Sequence, residues 1–283
     1  MRRMSEGRDV EQDAPLSTRI RQDVPHSARM YDYFLGGKDH YAVDREAAER
    51  VLVVFPNMRT AVQANRAFMR RSTRALARLG LRQWLDIGTG IPTSPNLHEV
   101  AQSVAPDARV VYVDNDPVVL AHSRALMTST PEGRTAYIHG DVHDPEAILA
   151  APQLARTLDL GQPVVLSMVA LLHFVPDIRE ARSIVDRLFT KLPTGSALVL
   201  SHATAELDVE GAPKVQEIYN QVGTTLQLRS RTEFATFFEG LELLDPGIVT
   251  AHRWRPDDTD TDRLPAGVTD AQVSFYAGVG VKR

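Results

Sequence analysis

Cysteine is absent from the 283-residue chain. That excludes disulfides, thiolate metal sites and cysteine nucleophiles. Lysine is scarce: Lys38, Lys191, Lys214 and Lys282 are the only four, and arginine supplies the rest of the positive charge. Against 32 Lys and Arg stand 36 Asp and Glu, for a net charge of −4, and no stretch gathers basic residues without interleaved acids. A duplex nucleic acid demands a basic face, so none is expected as a partner. No apolar run approaches the roughly 20 residues of a membrane-spanning helix. Residues 1–24 alternate Arg with Asp and Glu around no apolar core, so neither a secretory leader nor a membrane partner is expected, and the cytoplasm is the expected location.

What is present is a hydrophobic fraction of 43%, ample for a sizeable core. Three regions are expected: a mobile polar tail over 1–24, a helical cap or lid over 25–80, and an α/β domain over 81–283. The cap opens with Pro25-His26-Ser27-Ala28-Arg29-Met30-Tyr31-Asp32-Tyr33-Phe34-Leu35-Gly36-Gly37-Lys38-Asp39-His40-Tyr41, where aromatics and charges surround a Gly-Gly pair. A glycine-capped helix end explains the pair locally. The density of aromatic and charged groups also suits a lid over a ligand. Asp44 is expected to cap a helix through Val54, and a longer helix is expected from about Arg59 to Leu79, stopped by Gly80.

From Leu81 onward strands alternate with helices, the pattern of a parallel sheet covered on both faces. Strands are expected at Gln83–Ile87, Arg109–Val113, Thr135–His139, Pro163–Val169 and Ala197–His202. Helices are expected to open at Ser94-Pro95, at Asn115-Asp116-Pro117 (to Met127), at Asp144-Pro145-Glu146 (to about Leu158) and at Asp177 (to Leu192). Further helices are expected around Val215–Val222 and from the Ser230–Glu233 capping box to Gly240. Leu241–Leu244, Ile248–Trp254 and Ser274–Val281 read as closing strands, with an acidic loop over Pro256–Gly267. The whole predicts a seven-stranded sheet finishing in an antiparallel pair.

The first strand runs into Asp86-Ile87-Gly88-Thr89-Gly90, the second ends at Asp114-Asn115, the third leads into Asp141-Val142 and the fourth reaches Ser167. In an open α/β sheet a ligand binds outside the carboxyl ends of the strands. Bare glycines at Gly88 and Gly90 let the backbone approach it closely. Three acids ending three successive strands match the three parts of S-adenosylmethionine (SAM). Asp86 faces the methionyl ammonium, Asp114 accepts both ribose hydroxyls, and Asp141 accepts from the adenine amine beside the Val142 N–H. Asn115, Ser167, Tyr33 and Gly37 are further candidates for cofactor contact, and Arg66 is the candidate for the methionyl carboxylate. Singly, each acid also reads as a helix cap.

The motifs L-D-I-G-T-G, V-Y-V-D-N-D, H-G-D-V and L-L-H-F-V-P-D resemble those of class I SAM-dependent methyltransferases. The segment A-R-M-Y-D-Y-F-L-G-G-K-D-H-Y-A-V-D-R resembles the signature of an actinobacterial S-adenosyl methyltransferase family long catalogued as a domain of unknown function. The resemblance covers about residues 25–283. It implies a Rossmann-like sheet of order 3-2-1-4-5-7-6 with the last strand antiparallel, N-terminal helices over the site, and methyl transfer as the activity.

Methyl transfer is an in-line displacement at a sulfonium, so alignment and water exclusion carry much of it, and a base helps only if the acceptor must lose a proton. His173, just past the fourth strand, is the base candidate, with a structural role as its alternative. Tyr31 and Tyr41, like Tyr33, are candidates to close over the site. His139 and His143 beside Asp141 and Asp144 suggest a metal only weakly, and none is expected. The chain lacks the cysteine of cytosine-C5 enzymes and, at Ser167-Met168-Val169-Ala170, the Asp/Asn-Pro-Pro-aromatic motif of enzymes methylating exocyclic base amines. A small molecule accepting at oxygen or nitrogen is the expected partner, with the protein acting alone or as a homodimer. Two other readings stand beside this one. A non-catalytic SAM-binding regulator would keep the pocket without turnover. A nicotinamide oxidoreductase is opposed by Thr93, which stands where the third dinucleotide-binding glycine belongs.

Overall fold

The computed structural model describes residues 21–126, 128–256 and 264–283. Most of the expected tail, the expected helix end at Met127 and the middle of the acidic loop lie outside the described residues.

The sheet is built from β1 (Gln83–Ile87), β2 (Arg109–Asp114), β3 (Arg134–His139), β4 (Val165–Val169), β5 (Ala197–Ala203), β6 (Glu242–Leu243), β7 (Val249–Thr250) and β8 (Phe275–Val281). Its order is β3-β2-β1-β4-β5-β8-β6, with β7 also paired to β8. Strands β1 to β5 are parallel. β8 runs antiparallel to β5 from Ala197↔Val281 to Ala203↔Phe275. The expected order therefore holds, with the last long strand inserted beside β5. The sheet has eight strands rather than seven, one for each expected strand segment, although β6 and β7 are only two residues long. The chain leaves the expected Ile248–Trp254 strand after Thr250, in a 3-10 turn at Ala251–Arg253.

Alternation along the strands divides the core. Trp84, Val110 and Tyr112 point to one layer, while Leu85, Ile87, Val111 and Val113 point to the other. By the same period Asp86 and Asp114 end their strands on the Trp84–Tyr112 face. That face is covered by α1 (Ser27–Leu35), α2 (Ala42–Val54), α3 (Met58–Arg78) and α4 (Leu97–Val104), with α9 (Gly211–Gln221) packed on α2. The opposite face carries α6 (Pro145–Ala150), α7 (Pro152–Thr157), α8 (Ile178–Phe189) and α10 (Arg231–Ala235), while α5 (Pro117–Leu126) follows β2, packs on β2 and β3, and faces the cap through His122 and Asp39. A short α11 (Asp270–Val273) leads into β8 and packs on α3.

Local chemistry sets the helix ends, in places not where expected. α1 ends at Gly36 in the left-handed region (φ 82°), as the Gly-Gly pair predicts. α4 starts after Asn96 rather than at Ser94-Pro95, because Asn96 and Glu99 form the reciprocal capping box. The helix expected from Asp144 to Leu158 is two helices, since Pro152 has no N–H to continue the first. Ser230 and Glu233 cap α10 as predicted, but the helix gives way at Thr236 to a 3-10 turn. Among the described residues no helix is long and apolar enough to cross a membrane.

Candidate active site

The carboxyl ends of β1, β2 and β4 open into a cleft of about 1650 Å³, open mouth included, roofed by α1 and α3. At its sheet end lie Asp86, Gly88, Gly90, Asp114, Asn115 and Val142.

The β1–α4 loop is held tightly. Gly88 (φ 73°) and Gly90 (φ 69°) occupy the left-handed region, which a side chain would strain. Gly88 N–H donates to the Val113 carbonyl at 2.9 Å, and a Cβ on Gly88 would lie 2.7 Å from Leu171. Gly90 N–H donates to Asp114 Oδ2 at 2.8 Å, and a Cβ on Gly90 would meet open space. Asp114 Oδ1 accepts from Asp116 N–H at 2.9 Å. Asp114 thus ties the glycine loop to the end of β2. Burial raises its pKa, and the two N–H donors oppose the rise.

Asp86 is 8% exposed, and burial pushes its pKa from 3.8 up to about 6, against the pull of the Ser167 hydroxyl and of Arg66. Ser167 is the neighbour of Asp86 in the β1–β4 register and is itself buried, beneath the cleft rather than lining it. Arg66 on α3 lines the cleft. Its Nη2 donates to the Thr93 and Pro95 carbonyls, and its buried Nε has no hydrogen-bond partner among the described residues.

The roof is clamped by acids the sequence reading took as helix caps or passed over. Asp44, fully buried, accepts from Tyr41 N–H at the start of α2 and from His26 N–H, each at 2.8 Å. Arg29 bridges Asp44 Oδ2 and Asp116 Oδ2, both at 3.4 Å, and His26 Nδ1 lies 3.2 Å from the same Asp116 oxygen. Asp116 also caps α5 through Val118 N–H. A second tie crosses the cleft floor. Tyr31 hydroxyl donates to the Val62 carbonyl and accepts from Asn65, whose Oδ1 accepts from Ser201, which accepts from Ala170 N–H. Ala170, just past β4, has a positive φ of 55°.

Four expected cofactor residues fall outside the lining. Asp141 is exposed and accepts from His143 N–H at 3.0 Å, while its neighbours Gly140 and Val142 line the cleft. Ser167 lies beneath Asp86. Tyr33 turns to the outer side of α1, its hydroxyl on Glu49 and Arg59 5.0 Å from its ring centroid. Gly37 sits behind the wall, where a Cβ would fall 1.9 Å from Asp32 Oδ1. Asp32, which does line the cleft, accepts from Asp39 N–H at 2.9 Å and so folds the Gly-Gly connection. His139 and His143 are separately engaged by the Asn115 carbonyl and Glu180, and no group among the described residues could hold a metal.

Beyond the end of β4 the cleft becomes apolar. His173 and Phe174 from the 3-10 turn Leu172–Phe174 line it with Phe34, Phe55, Tyr219 and Phe275. His173 is buried, and burial, then His202 and Arg229, hold its pKa well below the usual histidine range. Arg229, which sequence reading missed, donates to the Leu172, Val175 and Pro176 carbonyls and pins this turn. No local pattern marks it, because its partners lie more than 50 residues earlier.

The profile of the S-adenosyl methyltransferase family matches residues 13–283. A DUF574 family protein from Streptomyces avermitilis is 49% identical, with a TM-score of 0.89, covering 93% of this chain and 99% of its own. A Thermobifida fusca protein assigned provisionally as a methyltransferase is 36% identical, with a TM-score of 0.83, covering 92% and 96%. None of the curated proteins compared with the chain matches it. With strand-end acids and glycines gathered at one end of a roofed cleft and the profile matched over nearly its whole length, the chain belongs to the S-adenosyl methyltransferase family and is a SAM-dependent methyltransferase.

Proposed function

We propose that this enzyme methylates an oxygen or nitrogen of a small molecule held in the apolar lobe of the cleft. The carrying observation is that lobe itself, walled by Phe34, Phe55, Phe174, Tyr219 and Phe275. Such walls suit a compact, largely apolar ligand better than the backbone of a polymer.

The residues at the sheet end fit the cofactor by their chemistry. Asp86, whose ionised form is costly without a cation beside it, faces the methionyl ammonium. The orphaned Nε of Arg66 suits the methionyl carboxylate. Asp114 retains lone pairs for the ribose hydroxyls although each oxygen already accepts one N–H. Gly90 keeps the approach open, and Asn115 stands beside Asp114. The adenine end meets Val142 and Gly140, with Asp141 at the outer edge. When bound, the cofactor supplies an electrophilic methyl on a sulfonium. The chain's own contribution is to align the acceptor behind that methyl and keep water out. The region 25–80 serves as the cap that does so, clamped by Asp44 and Asp116.

The test is release of S-adenosylhomocysteine by the full chain with SAM and, in separate arms, apolar small molecules, peptides and nucleic acids. Turnover with small molecules is expected. Turnover confined to the peptide or nucleic-acid arm would reject the proposed acceptor class.

A further inference from the structure

A run of hydrogen bonds of one polarity leads from a buried cation to the cleft. Arg229, 2% exposed, can only donate, and it does so to His202 Nε2 at 2.8 Å. His202 must therefore carry its proton on Nδ1, which donates to the Ala203 carbonyl at 2.8 Å. The Ala203 N–H points the same way, toward His173 Nδ1 at 3.5 Å. A backbone N–H is always a donor, so His173 Nδ1 must be the acceptor and Nε2 holds the proton of the neutral ring. Nε2 has no partner among the described residues and is not sealed from the cleft that His173 lines.

We propose that His173 is a hydrogen-bond donor to the methyl acceptor, not its base, and that the acceptor binds as an oxyanion on an apolar carrier, a phenolate or a carboxylate. This rests on the small-molecule reading above. With Nδ1 engaged by the peptide and Nε2 already protonated, neither nitrogen is free to take a proton. Two charged or titratable groups back the ring, His202 on β5 and Arg229 below it, with Asp177 and Glu233 beyond Arg229. Across the cleft stand Tyr31 and Tyr219, both kept in the phenol form by burial. Among the described residues no carboxylate acts on the ring, so the positive end of the chain of bonds faces the cleft. An anionic acceptor also balances the reaction without a base. Its lone pair forms the new O–C bond as the methyl's bond to sulfur breaks, that pair stays on sulfur, and no proton is left over.

The test has an arm that needs no acceptor. Full-length protein labelled with ¹⁵N-histidine is examined by NMR between about pH 5 and 8. His173 is expected in the Nε2–H tautomer throughout; an Nδ1–H tautomer or an imidazolium overturns the donor role even if small-molecule turnover is found. In the second arm, the protein saturated with S-adenosylhomocysteine is titrated with apolar phenols of graded acidity and aryl carboxylic acids. Affinity is expected to follow the ionised fraction, the two series telling phenolate from carboxylate. H173F should weaken oxyanion binding roughly 10- to 100-fold, and H173Q, which keeps a donor, should recover most of it. Equal affinity for ionised and neutral ligands, or an H173F protein that folds and binds as wild type, overturns the proposal.

Discussion

Replacing Asp86 by asparagine should stabilise the ligand-free protein while crippling cofactor binding. Asparagine keeps the shape of the neutral carboxyl and removes its charge. Burial moves the Asp86 pKa from 3.8 up to about 6. Below the lower value the group is protonated in both folded and unfolded chains, so it costs the fold nothing. As pH rises through about 6 the folded state loses the advantage it held by keeping its proton. At about 1.4 kcal/mol per pH unit, that interval makes the ionised carboxylate cost the fold about 3 kcal/mol at pH 8. Asp86→Asn should recover up to that amount, raising the melting temperature on the order of 6 °C. The gap should close as pH falls through 6 toward 4, where wild-type Asp86 becomes neutral. With SAM present the gap at pH 8 should shrink toward zero, because the variant loses a charge-assisted contact of about 1.5–3 kcal/mol. Thermal melts of both proteins at pH 8, 6 and 4, with and without SAM, test all of this. A ligand-free variant that melts at or below wild type at pH 8, or a gap that ignores pH, would refute the reasoning.

Asp114→Ala should weaken SAM binding by about 1.5–3 kcal/mol by calorimetry. It removes the acceptor for the Gly90 and Asp116 N–H groups as well as the expected ribose contact. Unchanged affinity would move the ribose elsewhere. Gly37→Ala should cost about 1–3 kcal/mol of stability by forcing Asp32 off the Asp39 N–H. It should also speed amide exchange between α1 and α2; a melt identical to wild type would mean that connection relaxes freely.

The strand ends, and the acids and glycines that they carry to the cleft, were legible in the sequence because they depend on short-range chemistry, whereas the sheet order followed only from the family resemblance. An apolar run of five or six residues ending in an acid, and then glycine or a helix start, states where a parallel strand stops and a ligand sits. Gly36 and the Ser230–Glu233 box were readable for the same reason, since their partners are four residues away at most. The motifs of the resemblance are likewise local strings. Even there nearby competition misled, as Asn96 displaced Ser94-Pro95 and Pro152 cut a helix in two.

What only the tertiary structure decided is which polar groups meet across the chain. Asn65 carries no local mark in the sequence, yet it is 1% exposed and bonded to Ser201 on β5, 136 residues away. Asp44 reads as a cap and also clamps His26 and Arg29 over Asp116. Tyr33 and Gly37 belong to the right segment but face away from the cleft, because helix phase, not composition, sets direction. Arg229 and the polarity it imposes on His202 and His173 leave no mark on the sequence. A buried cation is tolerable only where carbonyls from a distant loop are assembled around it, and that assembly exists only once the chain has folded.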